Sequence, residues 1–324
     1  TQVALIGRLR QAPCDDKTAG SVIEAEGEAL AVADRLPDVL LEAKRVYNTI
    51  VHGNHGRRRS GPGETFWQFR QYEQTDDAGL IDWRRSASSD HYYVREREWE
   101  AAHTFWLWAN LSPSMVFRSH LARTSKRDRA LVLLLAACEL LVRSGERVAY
   151  PGLTRPTASR RATTRLAETL GLNAGAPILN TTQPPATTVS RHSAVVLFSD
   201  FLDPPETTMR RMDAFADGGA TGHLILISDP AEETLPYDGR TEFLSPTGDE
   251  IWLADRVEAI RGDYQSRLAA HRDEIAHHAA RLGWSFMIHH TDRPAAEPLL
   301  SLTMRLQDGG GTGARSAALI KGVQ

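Results

Sequence analysis

The chain of 324 residues has only two cysteines, Cys14 and Cys138, which lie far apart and form no C-x-x-C motif. A disulfide framework and a cysteine-based zinc site are therefore not expected, which fits a reducing compartment. Apolar runs are short: Ala130–Val142 cannot span a bilayer, and Thr1–Ala12 lacks the apolar core of a signal peptide. The sequence predicts a cytoplasmic protein without membrane insertion.

An excess of charge of one sign is also lacking, because 38 basic and 41 acidic residues give a formal net charge of -3. The chain therefore has no global attraction to nucleic acid or to an anionic membrane. No G-x-S-x-G elbow and no G-x-x-x-x-G-K-[ST] phosphate loop occurs, and the Gly-rich stretch 309–316 follows no predicted strand. The pairs His52/His55 and His277/His278 have no acidic third ligand in a suitable position. Familiar hydrolase and nucleotide-binding classes are thus not indicated.

Apolar periodicity is the main positive signal. Residues 21–51 carry apolar positions at helical spacing with a break at Pro37, which predicts an N-terminal helical extension. From His103 onward, apolar runs alternate with helical stretches, a pattern typical of a parallel sheet covered by helices on both faces. The predicted strands are Thr104–Ala109, Arg147–Tyr150, Ala194–Phe198, His223–Ile227 and Trp284–His289. Helices are expected at Ala130–Val142, Ala158–Leu170, Glu206–Ala216 and Arg256–Leu282. The fold class is therefore α/β, with a doubly wound, mainly parallel sheet.

Four regions follow from these changes of composition. We predict an N-terminal helical extension over 1–55, an Arg- and Trp-rich block over 56–100 packed on the main domain, the α/β domain over 101–307, and a flexible Gly-rich tail over 308–324.

The block 56–100 holds 8 of the 23 aromatic residues, together with eight arginines and nine carboxylates. Aromatic rings interleaved with arginine occur in single-stranded nucleic-acid grooves, but phosphate binding depends on unopposed cations. The balanced charge favours planar Arg–carboxylate pairs with rings stacked on them, and we interpret the block as a rigid clasp with Arg84 half-buried. An alternative is that Asp76, Asp77 and Asp82 form the acid/base or metal cluster of a hydrolase.

Polar residues follow two of the predicted strands. The stretch FWLWANLSPSM places Asn110, Ser112 and Ser114 after one strand, and VVLFSDFLDP places Asp200 after another, with Asp203 nearby. Ligands of doubly wound sheets collect beyond the carboxyl ends of the strands. These side chains are therefore expected at one edge of the sheet.

These residues carry a resemblance. The turn Asn110-x-Ser112-x-Ser114 and the later Ser199-Asp200 resemble the von Willebrand factor A fold, whose metal-ion-dependent adhesion site reads Asp-x-Ser-x-Ser. The upstream block resembles the signature of the family named domain of unknown function 58. The residues that carry this second resemblance are Arg59, Gly61, Gly63, Glu64, Phe66, Arg70, Tyr72, Asp77, Asp82, Trp83, Arg84, Arg95 and Glu96.

The resemblance implies a Mg²⁺ site built from hydroxyl and carboxylate oxygens, but Asn110 stands where the first carboxylate belongs. Because Mg²⁺ needs oxygen ligands in regular geometry, we expect a degenerate site that binds Mg²⁺ weakly or not at all. The threonine of the site is open among Thr154, Thr157, Thr163 and Thr164. The alternative to a metal site is a purely structural role, in which Ser112 and Ser114 cap the following helix and Asp200 accepts hydrogen bonds from backbone amides.

The resemblance also implies a function. It indicates a non-catalytic protein-interaction scaffold that acts with a MoxR-type AAA+ ATPase, and with a client protein, in the assembly or maturation of other complexes. No nucleic acid and no cofactor beyond a weakly held Mg²⁺ is expected. The alternative is a metal-dependent hydrolase that uses the acidic residues of 56–100.

Overall fold

The computed structural model describes residues 38–50, 66–72, 81, 83–87, 91–97, 103–191, 193–245 and 250–309. The chain divides into two compact units, one from residues 1–54 and 103–324 and the other from residues 55–102. Within the described ranges, no helix is both long enough and apolar enough to cross a membrane.

The helices and strands are as follows in chain order. They are α1 (38–50), β1 (Phe66–Gln71), α2 (Trp83–Ser86), β2 (Tyr93–Arg97), β3 (Thr104–Ala109), a one-turn 3-10 helix (Pro113–Val116), α3 (Lys126–Arg143), β4 (Arg147–Ala149), α4 (Ala162–Leu172), β5 (Ser193–Ser199), α5 (Pro205–Asp217), β6 (Thr221–Ser228), α6 (Pro230–Thr234), β7 (Thr241–Leu244), β8 (Ile251–Ala254), α7 (Val257–Arg281), β9 (Ser285–His290) and α8 (Ala296–Gly309).

The larger unit is built on a five-stranded sheet in the order β4-β3-β5-β6-β9, with every neighbouring pair parallel. The central strand β5 is buried along its whole length, as expected for a sheet covered on both faces. Strand order reverses between β3 and β5, which creates a topological switch point there. The predicted doubly wound α/β fold and its five strands are confirmed.

Helix α3 forms the centre of the core. Its apolar residues Leu133, Leu134 and Leu135 are fully buried, and the same apolar cluster includes Val39 and Ala43 of α1. The helix starts four residues before the predicted apolar run, because the Ser125 hydroxyl accepts a hydrogen bond from the Asp128 amide and caps its first turn. The N-terminal helical extension thus contributes to the main core through residues 38–50.

Three features of the secondary structure differ from the predictions. Helix α4 begins at Ala162 and not at Ala158, because Thr157 first pairs with Val148 in an isolated antiparallel bridge. Helix α8 was not predicted, and it continues to Gly309, so residues 308 and 309 of the predicted tail are helical. The antiparallel hairpin β7–β8 was also missed, since residues 251–253 of its second strand are exposed and give no alternating pattern.

The smaller unit contains an antiparallel pair, β1 with β2, whose register shifts between Phe66 and Gln68. The short helix α2 is tied to this pair because the Ser86 hydroxyl accepts a hydrogen bond from the Tyr93 amide at 2.9 Å. The Tyr72 amide donates to the Tyr92 carbonyl at 2.8 Å and extends the pairing beyond the strands.

Candidate site at the carboxyl ends of the strands

The candidate site begins where β3 and β5 end side by side. Ala109 is the register partner of Phe198, and the Asn110 amide donates to the Phe198 carbonyl at 2.8 Å. Asn110 therefore lies beside Ser199 and Asp200, at the switch point of the sheet.

The Asn110 side chain is oriented by the backbone that follows it. Its Oδ1 accepts a hydrogen bond from the Ser112 amide at 2.9 Å, so the amide nitrogen faces the opposite way. That Nδ2 donates to Ser199 Oγ at 3.0 Å and to Asp200 Oδ1 at 3.3 Å. Asn110 thus presents a hydrogen-bond donor to Asp200, and its oxygen is used within its own turn.

The two serine hydroxyls of the turn bond each other. Ser112 Oγ lies 3.1 Å from Ser114 Oγ, and Ser112 is almost completely buried. Ser112 stands at the N-cap of the 3-10 helix, but its side chain makes no capping hydrogen bond. The expected capping role of these hydroxyls is therefore wrong for Ser112.

Lys126, the first residue of α3, brings a buried positive charge to this edge. Its side chain is 0% exposed, and its Nζ donates to Asp200 Oδ2 at 3.0 Å and to Glu232 Oε1 at 2.5 Å. The expected bonds from Asp200 to backbone amides are replaced by bonds from Lys126 and Asn110. Three segments, the ends of β5 and α3 and the short helix α6, thus converge on one ammonium group.

The pKa shifts of this cluster have opposing causes. Burial alone lowers the pKa of Lys126, but the charges of Asp200 and Glu232 and their hydrogen bonds raise it above its ordinary value. Burial raises the pKa of Glu232, and the Lys126 ammonium opposes that rise. Lys126 is therefore held in its charged form, as the counter-ion of buried carboxylates.

Glu232 is fixed by a capping box at the start of α6. Its Oε2 accepts from the Asp229 amide at 2.9 Å, while Asp229 accepts from the Ala231 amide with one oxygen. The other Asp229 oxygen accepts from the Ser119 amide at 2.9 Å. These bonds attach the loop 117–125, which connects β3 to α3, to the end of β6.

A small cavity lies behind this cluster, lined in part by Asp200, Ser228, Glu232, Tyr264 and Arg272. Arg272 donates to Ser228 Oγ at 2.9 Å and to Glu233 Oε1 at 2.5 Å. Burial alone raises the pKa of Glu233, but bonds from His290 and Arg272 lower it to about 2. The polar wall of the cavity is thus held by ion pairs from α6 and α7.

The residues at this edge do not fit a Mg²⁺ ion. Asn110 turns a donor toward Asp200, and Asp200 Oδ2 is taken by Lys126, so the oxygens that a hard cation needs are already bonded. In the part of the chain that the structure describes, no group of three or more His, Cys, Asp or Glu could hold a metal ion.

The threonine candidates are used elsewhere. The hydroxyls of Thr154 and Thr157 accept from the Tyr150 and Ser159 amides, and Thr163 donates to Glu139 at 2.7 Å. Thr164 is exposed on α4. Asp203 accepts a hydrogen bond from Gln183 and is not part of the Asp200 cluster.

Sequence reasoning missed Lys126 and Glu232. Lys126 begins the charged run KRDR, which is typical of a solvated first helical turn, and its burial depends on strands far away in sequence. One signal was present: only four lysines occur among the 38 basic residues, namely Lys17, Lys44, Lys126 and Lys321. A rare lysine in an arginine-rich chain suggests a position where a compact ammonium is needed.

The signature block is described only in part. Arg59, Gly61, Gly63, Glu64, Asp77 and Asp82 lie outside the described residues, as does Asp76 of the hydrolase alternative. Phe66 and Arg70 lie on β1, Arg95 and Glu96 lie on β2, and Tyr72 follows β1. The pairing of arginines with carboxylates in the block therefore stays a prediction.

Arg84 is exposed on α2, so the expectation that it is half-buried is wrong. The guanidinium of Arg85 instead lies 5.9 Å from the centroid of the Tyr93 ring. Trp83 is 64% exposed and contacts Tyr92 edge to face, with ring centroids 5.9 Å apart. Because removal of an exposed arginine charge costs little, Arg84→Ala is expected to change the stability of the protein only slightly.

The chain matches one protein family and is similar to mycobacterial proteins. A family profile described as "Protein of unknown function DUF58" matches residues 68–274. Uncharacterized proteins of Mycobacterium bovis (Mb1516) and Mycobacterium tuberculosis (Rv1480) are each 26% identical over 294 residues, which cover 84% of this chain and 89% of the relative.

One solved structure was also found. The conserved hypothetical protein BatB from Bacteroides thetaiotaomicron has 12% sequence identity and a TM-score of 0.36, and the match covers 64% of this chain and 100% of that chain.

Proposed function

We propose that this chain, which belongs to the DUF58 family, is a non-catalytic protein-interaction scaffold whose strand edge is a degenerate metal-ion-dependent adhesion site. We further propose that it acts with a MoxR-type AAA+ ATPase in the assembly or maturation of other protein complexes.

One observation carries the proposal: the polar groups at the switch point bond one another. Asn110 and Lys126 donate to the two oxygens of Asp200, and Ser112 bonds Ser114. A carboxylate that acts as a general acid or base has to exchange a proton with a substrate, whereas Asp200 and Glu232 are buried and paired with a fixed ammonium. This arrangement supports a rigid platform for binding and gives no support to a hydrolase at this edge.

The loop 117–125 is exposed to partners at this edge. Arg118, His120 and Arg123 are exposed, and Leu121 is 42% exposed. The sequence from 110 to 127 contains no carboxylate, so the loop is basic as well as firmly attached through Ser119. A partner surface that carries carboxylates would complement it.

The proposal of an ATPase partner is based on the family to which the chain belongs. The resemblance of the chain to its family implies a MoxR-type partner. The formal net charge of -3 gives no support to nucleic acid as the alternative partner.

A binding measurement between the purified chain and the MoxR-type ATPase of the same organism tests the proposal, with MgATP kept saturating throughout. Arg118→Glu reverses a charge on the loop and is expected to raise the dissociation constant about tenfold or more. Arg147→Glu is the matched control, because Arg147 is also exposed but begins β4 at the opposite edge of the sheet.

Equal affinity of wild type and Arg118→Glu for the ATPase would mean that the interface does not include this loop. No measurable binding of the wild type would contradict the ATPase partnership. A Mg²⁺-stimulated phosphoesterase or peptidase activity of the purified chain would contradict the non-catalytic role.

A further inference from the structure

We propose that Lys126 is a resident cation: its ammonium supplies, from within the chain, the positive charge that a divalent cation supplies in an adhesion site of this fold. The inference rests on the geometry of the buried cluster and on the proposed degenerate adhesion site, and it does not depend on the proposed partner.

The carboxylates of Asp200 and Glu232 need such a charge. Both are nearly completely buried, and an isolated ionised carboxylate away from water is strongly unfavourable unless a cation or several donors compensate it. Lys126 Nζ contacts one oxygen of each, at 3.0 and 2.5 Å. The ammonium therefore bridges β5 and α6 in the way a shared cation would.

An ammonium fits this geometry better than a metal ion does. It donates along discrete N–H directions and needs two or three acceptors, whereas Mg²⁺ demands about six oxygens in near-octahedral order. The remaining oxygens are already used: Asp200 Oδ1 accepts from Asn110, and Glu232 Oε2 accepts from the Asp229 amide. The replacement of the first carboxylate by Asn110 agrees with this, since Asn110 brings a donor and no further negative charge.

The burial of the cation has a consequence for recognition. Lys126 is 0% exposed, and a partner's side chain cannot reach its ammonium. Any partner at this edge must therefore bind the surrounding surface without coordinating the cation.

Chemical rescue tests the resident cation. Lys126→Ala is expected to lower the melting temperature by about 10 °C, because it leaves two buried carboxylates without their counter-ion. Propylammonium, which replaces the missing part of the side chain, should recover several degrees in this variant, while tetramethylammonium at equal ionic strength should not. Lys44→Ala is the control, because Lys44 is exposed on α1 and its loss should change neither the melting temperature nor the response.

Three neutral substitutions isolate the charge if Lys126→Ala does not fold. Lys126→Met leaves both carboxylates unpaired, whereas the triple variant Lys126→Met/Asp200→Asn/Glu232→Gln removes all three charges together. The triple variant should melt well above Lys126→Met or recover folding where that variant is insoluble. The proposal is overturned if the triple variant is as unstable as Lys126→Met, or if Lys126→Ala melts like the wild type.

Discussion

At the scale of single residues, the hydrogen bonds at the strand edge depend on the side-chain amide of Asn110. Asn110 donates to Asp200 Oδ1 across 3.3 Å and to Ser199 Oγ across 3.0 Å, and its own oxygen is held by the Ser112 amide. A carboxylate at the same position would place an anion beside Asp200 and would lose both donated bonds.

Asn110→Asp is therefore expected to destabilise the protein by about 2 kcal/mol or more, because two buried acceptors lose their donor and like charges meet. Millimolar Mg²⁺ should offset part of this loss in the variant, since the added oxygen ligand and negative charge favour a cation. Melting curves of both proteins with Mg²⁺ and with EDTA measure the effect. An Asn110→Asp variant as stable as the wild type in EDTA would show that the donated bonds are unimportant.

Two histidines, His289 that is buried and His223 that is partly buried, make the stability of the protein depend on pH. Burial and the nearby Arg129 charge lower the pKa of His289 to about 3, and burial with Arg305 lowers that of His223 to about 4. The unfolded chain takes up these protons near the ordinary pKa of about 6.5, while the folded chain does not. The contribution of the two neutral histidines to the free energy of unfolding is therefore fully present above pH 6.5, and it is lost as the pH falls toward 4.

Urea unfolding at about pH 7.5 and about pH 5 should show this loss, with a slope of up to about 1.4 kcal/mol per pH unit for each histidine. His289 is 3% exposed, so His289→Gln removes one buried titrating group and should reduce the slope. An identical pH dependence in wild type and His289→Gln would mean that His289 is protonated in the folded protein.

At the scale of helices and strands, the fold was more predictable than the site. Apolar runs such as Ala194–Phe198 identify buried strands because burial on both faces selects continuous apolar sequence. The exposed strand β8 and the position of Lys126 leave no such pattern, since each is decided by contacts between segments distant in sequence. Asn110 and Asp200 could be placed at one edge from strand order alone, but their partner Lys126 could not.

Gly222 on β6 packs closely against the ring of Trp284. A Cβ at this position would lie 1.9 Å from the ring of Trp284, the residue just before β9, so the two cannot coexist without movement. Gly262, on an exposed turn of α7, has open space around it.

Gly222→Ala is accordingly expected to cost about 3 kcal/mol, because the Trp284 ring or the strand must shift. Gly262→Ala should instead stabilise by roughly 0.5–1 kcal/mol, because alanine loses less backbone entropy in a helix. Chemical denaturation of both variants measures the contrast. A Gly222→Ala protein of wild-type stability would place Trp284 elsewhere than in this packing.

At the scale of the whole molecule, a parallel sheet brings the ends of β3 and β5 together, and α3 then contributes its first residue as their cation. In our proposal, Lys126 supplies from within the chain the charge that a metal ion would otherwise bring from solution. The surface above this cluster, the loop 117–125, carries exposed basic side chains on a firmly attached backbone. We propose that the molecule as a whole is a binding platform whose edge does not depend on a metal.

Calorimetric titration of Mg²⁺ into the metal-free wild-type protein tests this claim most directly. We expect no saturable heat at Mg²⁺ concentrations below the millimolar range. We also expect the same melting temperature with Mg²⁺ as with EDTA, because binding stabilises a protein only when the ligand concentration exceeds its dissociation constant. Stoichiometric binding at tens of micromolar Mg²⁺ that Ser112→Ala abolishes would contradict it, since it would place a functional metal at the edge that Lys126 is proposed to serve.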